Sequence, residues 1–159
     1  MAFNVDEFLS SQLAAPLATQ FEVCPEGEFA MLLDSDPKQL QPREISGTSE
    51  KTGKPYHFFQ LELNCLVQDE KVKAKLGRDR VPVRLRVNLD IGTDNRLESG
   101  PNKNVALGQL LEAVGANKAG AGLTAILGAG PFMGKVKHTS DRRDTNRKYA
   151  EVDRVTKLR

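Results

Sequence analysis

The sequence predicts a mainly β protein, with five strands closing into a small barrel, one helix between strands 3 and 4, and a further helix appended at the N-terminus. Two long segments alternate apolar and polar residues, the signature of half-buried strands. A single segment with helical spacing follows them, and the chain then closes on two extended runs joined by a polar turn.

The elements follow in order. "FNVDEFLSSQLA", residues 3–14, spaces Phe3, Val5, Phe8, Leu9 and Leu13 loosely as a helix would, and Pro16 stops the run. With its surroundings it forms an acidic helical extension over residues 1–21, ahead of a binding domain over residues 22–159. "PEGEFAMLLDSD" reads as a turn and a short strand, and a second extended piece is expected around Arg43 to Gly47. "GTSEKTGKP" has the Gly, Ser, Thr and Pro density of an exposed loop. In "YHFFQLELNCLV", Phe59, Leu61, Leu63, Cys65 and Val67 share one face while Tyr56, Phe58, Gln60, Glu62 and Asn64 share the other. "VPVRLRVNLDI" repeats the pattern, with Val81, Val83, Leu85, Val87, Leu89 and Ile91 inward and Arg84, Arg86, Asn88 and Asp90 outward. "NVALGQLLEAVGAN" places Leu107, Leu110, Leu111 and Val114 at helical spacing, with Asn104 as N-cap and Gly115 as stop. The glycine-rich "KAGAGLTAILGAGP" reads as a short helical turn or a loop, before the closing hairpin of "FMGKVKHTS" and "RKYAEVDRVTKL". Three strands, a helix and two strands is the order of the OB-fold, which binds oligonucleotides on its strand 2–3 face and through loops 1–2 and 4–5.

At 159 residues and 39% apolar, the chain suits one domain with its own core. No stretch approaches the roughly 18 uninterrupted apolar residues of a membrane span, and acids stand where a signal peptide carries Lys or Arg. The expected location is the cytoplasm. Cys24 and Cys65 are too few for a zinc site or a disulfide framework, so reduced, partly buried thiols are expected and no metal.

The net charge of +2 hides a gradient. Residues 1–36 hold seven acids and no Lys or Arg, residues 37–134 hold 14 basic and 10 acidic side chains, and residues 135–159 hold 9 and 4. A basic C-terminal region on a near-neutral chain points to a local polyanion-binding surface, with an ordinary solvated face as the alternative.

Catalytic signatures fail on inspection. "GAGLTA" has the letters of a dinucleotide fingerprint but follows a helix instead of a strand. "GPFMGKV" is one residue short of a phosphate loop and has Val136 where a magnesium-binding Ser or Thr belongs. His57 and His138 have no second ligand or nucleophile at a useful spacing, and Asp141, Asp144, Glu151 and Asp153 interleave with arginines. No catalytic residue, no cofactor and no hydrolysis of ATP, DNA or RNA is expected.

Binding a single strand without reading its sequence needs cations for phosphates and flat rings for bases. Outward positions supply both: Tyr56 and Phe58, then Arg84 and Arg86, Lys135 and Lys137, Arg147 and Tyr149, with loop residues Lys51, Lys54, Arg142 and Arg143 flanking them. Arg142 and Arg143 are expected to contact phosphate, since a turn positions charge more readily than base-edge geometry. The alternative for Tyr56 and Phe58 is a second small core under the N-terminal helix.

The run "VCPEGEFAMLLDS", "KTGKPYHFFQLEL", "RLRVNLDIG", "GPNKNVALGQLLEAVG" and "GKVKHTSDRRDTNRKYAEVDRVTKL" resembles the phage-encoded OB-fold single-stranded DNA-binding proteins. The resemblance implies sequence-independent coating of strands exposed in DNA replication or recombination, cooperative or near-cooperative and without catalysis. It also implies replication and recombination proteins of phage or host as partners. Bacterial-type single-strand binders usually end in an acidic tail, whereas this chain ends "RVTKLR" and carries its acids at the N-terminus, where they would dock a protein or compete with DNA. Self-association through the strand "FAMLL" is left open. The competing reading is an OB-type structural or protein-interaction module of a phage.

Overall fold

The computed structural model describes residues 2–19, 22–140, 143 and 147–158. In chain order these give α1 (Val5–Ser10), β1 (Gly27–Leu33), a 3-10 turn (Pro37–Leu40), β2 (Arg43–Thr48), β3 (Pro55–Val67), α2 (Glu70–Leu76), β4 (Pro82–Leu89), α3 (Val105–Ala113), a second 3-10 turn (Leu123–Gly128), β5 (Phe132–Ser140) and β6 (Lys148–Lys157). The mainly β class is as expected, but with six strands in one sheet and three α-helices.

The sheet runs β1-β5-β6-β4-β3-β2, and an added β1–β3 pairing makes a ring of β1, β5, β6, β4 and β3. Every pairing is antiparallel except the parallel contact of β4 with β6 at Arg84 and Glu151. The extra strand arises where the chain leaves the ring: β1 ends with Leu33 opposite Cys65, and β2 rejoins β3 with Arg43 opposite Gln60. Between them the Asp36 side chain caps the Pro37–Leu40 turn by accepting from the Lys38 N–H at 3.0 Å. Gln39 clips this turn to β3, donating to the Asp34 carbonyl and accepting from the Asn64 N–H at 2.9 Å.

β1 is bonded to β5 over Gly27–Met31 and to β3 over Met31–Leu33, so the strand containing "FAMLL" is paired within the sheet instead of forming its open edge. That edge belongs to β2, which among the described residues pairs with β3 alone.

Inside, the period-two pattern is realised as read. Leu61, Leu63, Cys65 and Val67 of β3 and Val83, Leu85, Val87 and Leu89 of β4 are buried with Met31, Phe132, Val136 and Val152. Leu107 and Leu110 of α3 join them, as does Ile126 of the second 3-10 turn. Each fully buried Leu or Phe contributes roughly 1.5–3 kcal/mol of transfer free energy. At Gly134 a Cβ would drive into the Met31 Sδ, so a strand-interior glycine lets Met31 fill the ring. A bulge between Lys135 and Val136, with Asp153 the extra residue, keeps Val152 and Val155 both directed inward.

Three local expectations are corrected. α2 has its signals in the sequence, an Asp69 side chain accepting from the N–H groups of Lys71 and Val72 and a left-handed Gly77 at its end, and it buries Val72. Asn104 stands at the N-cap position of α3 without capping it: at φ 50° its side chain turns to β4, accepting from the Asp90 N–H at 2.8 Å and donating to the Asp90 and Glu98 carbonyls. The N-terminal helix is confined to Val5–Ser10 and buries no residue, so it covers no second core over Tyr56 and Phe58. No helix among the described residues is long and apolar enough to cross a membrane.

Candidate functional site

Period two makes β3 a stripe whose outward side chains are Tyr56, Phe58, Gln60, Glu62 and Asn64, a run of about 26 Å at roughly 3.3 Å per residue. Register sets the neighbours. Across β4, Gln60 faces Asn88, Glu62 faces Arg86 and Asn64 faces Arg84, and Arg84 in turn faces Glu151 of β6.

One end of the stripe is the β2–β3 hairpin. A shallow cleft of about 490 Å³ is lined there by Ile45, Lys51, Tyr56 and Phe58, and the two rings lie 6.1 Å apart at 31°. Tyr56 is 44% exposed. Its ring lies over the backbone of Gly47, directly opposite, where a Cβ would come within 2.5 Å of the Tyr56 Oη. The ring is thereby held flat against the ribbon. Lys51 and Lys54 are exposed and form no ion pair among the described residues. On the reverse face of the same hairpin His57 pairs with Glu44 at 2.5 Å.

The middle of the stripe is a charge ladder. Glu62 lies 2.6 Å from Arg43 and 3.6 Å from Arg86, while Glu151 lies 3.8 Å from Arg86 and 3.2 Å from Arg84. Three arginines therefore share two carboxylates, leaving one net positive charge. The Arg84 Nε is buried and has no hydrogen-bond partner among the described residues. Ion pairs exposed to this degree contribute about 0–1 kcal/mol each, so the ladder is easily opened by a competing anion.

At the other end stands Tyr149, half-buried, with the Arg147 guanidinium 5.7 Å from its ring centroid. Lys137 is one strand away on β5 and pairs with Asp153 at 3.3 Å. Lys135 does not join the group: on the same strand as Lys137, it stands across the bulge, opposite Arg154 instead of Glu151 and beside Glu28 and Lys157. Arg143 lies in the β5–β6 connection, and Arg142 falls outside the described residues.

The structure thus gathers Lys51, Tyr56 and Phe58 at one end, Arg84 and Arg86 in the middle, and Arg147 and Tyr149 at the other. Sequence reasoning missed Arg43, Glu62 and Glu151 as partners of the arginines. Glu62 and Glu151 were visible as outward positions; their pairing depended on register, which no single strand encodes. It also missed Asn64 and Arg78, which line the cleft beside Tyr149.

No metal-ligating cluster of three His, Cys, Asp or Glu occurs among the described residues. Both cysteines are free, and burial raises the Cys24 thiol to about 11 and the Cys65 thiol to about 12, so neither is a thiolate near neutral pH. No protein-family model matches this chain, and no curated protein or solved structure is significantly similar to it.

Proposed function

We propose that this chain is a single-stranded DNA-binding protein of OB-fold type, without catalytic activity, that coats exposed strands largely irrespective of sequence during phage replication or recombination. The observation that carries the reading is the outward stripe itself, with aromatic rings at both ends and arginines between. Stacking on such rings is worth roughly 1–3 kcal/mol per base and tolerates any base, while the cations follow the backbone.

The connectivity supports the OB-fold assignment. β1 and β2 act as one first strand interrupted by the Pro37–Leu40 turn, α3 lies between β4 and β5, and the β4–β6 contact is parallel. On that assignment β3 and β4 are the strand 2–3 face that binds oligonucleotides, and Lys51, Lys54 and Arg143 belong to the flanking loops.

Fluorescence anisotropy with labelled oligothymidine and with duplex of equal length, at 0.15 M salt, tests the reading. Tighter binding of the single strand is expected; equal or tighter duplex binding would sink it. A second reading, a protein-interaction module, is favoured by the N-terminal segment, where Phe3, Phe8, Leu9, Leu13 and Leu17 are exposed. Replication and recombination proteins are the partners that both readings accommodate, and the cytoplasm is where both would act.

A further inference from the structure

The N-terminal segment carries an apolar face that its own fold does not cover. In α1, Val5, Phe8 and Leu9 follow the i, i+3, i+4 spacing that puts them on one side of the helix, while Asp6, Glu7 and Ser10 fall on the other. The Phe3 ring adds to the apolar side, 5.6 Å from that of Phe8. All four apolar side chains are more than half exposed. The helix is nevertheless formed, with the Asn4 side chain capping it by accepting from the Glu7 N–H at 3.2 Å. At six residues it is far below the length of about 12–15 at which isolated helices are even marginal in water, so lasting stability has to come from packing.

A groove of complementary character runs between α3 and β6, with a volume of about 540 Å³. Val105, Gly108, Ala113 and Val155 give it an apolar lining, and Arg154 and Lys157 stand on its β6 side. Arg154 has no carboxylate partner among the described residues, and Lys157 meets Glu112 of α3 at 3.8 Å with both side chains exposed. Two cations against one carboxylate leave this rim positive.

Gly108 shows that the helix wall is kept low. A glycine inside a helix costs roughly 1 kcal/mol relative to alanine. Nothing in this chain requires one at position 108, where φ is not left-handed and a Cβ would meet no atom within 4 Å. The missing side chain does serve a second body that comes close to the α3 backbone.

We infer that this groove receives α1 of a second copy of the chain, with Val5, Phe8 and Leu9 packed over Gly108 and the acidic flank of α1 beside Arg154 and Lys157. Charge and size both select this occupant. Residues 2–19 include Asp6 and Glu7 but no Lys or Arg. α1 is about 9 Å long at roughly 1.5 Å per residue, and the β6 wall from Arg154 to Lys157 about 10 Å at roughly 3.3 Å per residue. Since α1 buries no residue against its own chain, the contact is made with another. It joins two different surfaces, a helix on one copy and a groove on the next, so it is heterologous. The inference does not depend on DNA binding; on the proposed function it would link neighbouring copies along a strand.

Sedimentation equilibrium of the full chain with no DNA present tests it. The weight-average mass of the wild type is expected to rise with concentration above that of one chain. Phe8→Gln with Leu9→Gln removes the apolar face and should weaken association more than about tenfold, given the transfer free energy of two such side chains. Gly108→Gln fills the groove and should do the same, with a melting temperature no lower than that of the wild type because glutamine is the better helix former. Mixed, the two variants should associate again, since the groove of the first still accepts the helix of the second. A wild type that stays a single chain at every concentration overturns the inference, whether the segment then lies free, docks on its own groove or serves an unrelated protein. Association that survives either variant overturns it as well, as does a mixture in which the two variants fail to complement each other.

Discussion

At the β2–β3 hairpin, Tyr56 and Phe58 stand on a two-stranded ribbon beside Lys51, with no carboxylate bonded to that lysine among the described residues. In the middle of the sheet, Arg84 and Arg86 stand on a strand paired with both β3 and β6, and share Glu62 and Glu151. The first region presents an exposed Tyr56 and Lys51 beside a half-buried Phe58. The second holds three arginines on two carboxylates, so on the proposed function all but one of its charges must be taken from a carboxylate before a phosphate can use them. Apparent positive charge and available positive charge are therefore different quantities in this molecule, and the aromatic end should supply most of the affinity.

The comparison is broken most directly by removing the rings. Tyr56→Ala combined with Phe58→Ala should cost roughly 1–3 kcal/mol for each ring that carries a base, with little change in the salt dependence, because stacking releases few counterions. Anisotropy titrations across a salt series measure both; an unchanged affinity would move the binding surface away from the hairpin.

A milder version leaves both rings present. Gly47→Val places a side chain under Tyr56 and should lift its ring, costing about 1 kcal/mol, the low end of a stacking contribution. Circular dichroism should show an unaltered fold, since the φ of Gly47 is one that any residue adopts.

Glu62→Gln with Glu151→Gln acts on the other region and in the opposite direction. Freeing the arginines should tighten single-strand binding by up to about 1 kcal/mol per released pair. The salt slope should steepen by about 0.7 for each further phosphate that the freed arginines neutralise. A weaker complex would mean that the carboxylates hold the arginines in their binding geometry.

The smallest effect belongs to the ring interior, which neither region reaches. Burial raises both thiols, so the folded protein keeps their protons at a pH where the unfolded chain, near 9.0, releases them. That contribution is complete below pH 9 and is lost as pH rises towards about 11 for Cys24 and about 12 for Cys65. Stability to urea should be insensitive to these thiols between pH 7 and 8.5 and fall above 9, and Cys65→Ala should flatten the fall. DNA affinity should not respond to Cys65→Ala.

Much of this was legible in the sequence because it depends on single elements. Alternation on β3 and β4 separates Leu61, Leu63 and Cys65 from Phe58, Gln60 and Glu62 without reference to any other strand. Tyr56, Phe58, Arg84, Arg86 and Tyr149 were found as outward residues for the same reason. What depends on two elements was not legible. Arg43 reaches Glu62 only because β2 rejoins β3 after the Pro37–Leu40 turn, and Lys135 leaves the group because the β5–β6 register sets it opposite Arg154 while Lys137 faces Glu151. Asn104 had the residue type of a cap, but Asp90 and Glu98 competed for its side chain and won.

The contact between Gly47 and Tyr56 reaches beyond any one molecule. A glycine that its own backbone does not require, held small by the ring opposite, ties two positions into one unit of inheritance. In descendants of this sequence, position 47 should be free to acquire a side chain only after position 56 has lost its ring. A lineage that has made that double change will have surrendered one stacking surface of the hairpin while keeping every strand in register.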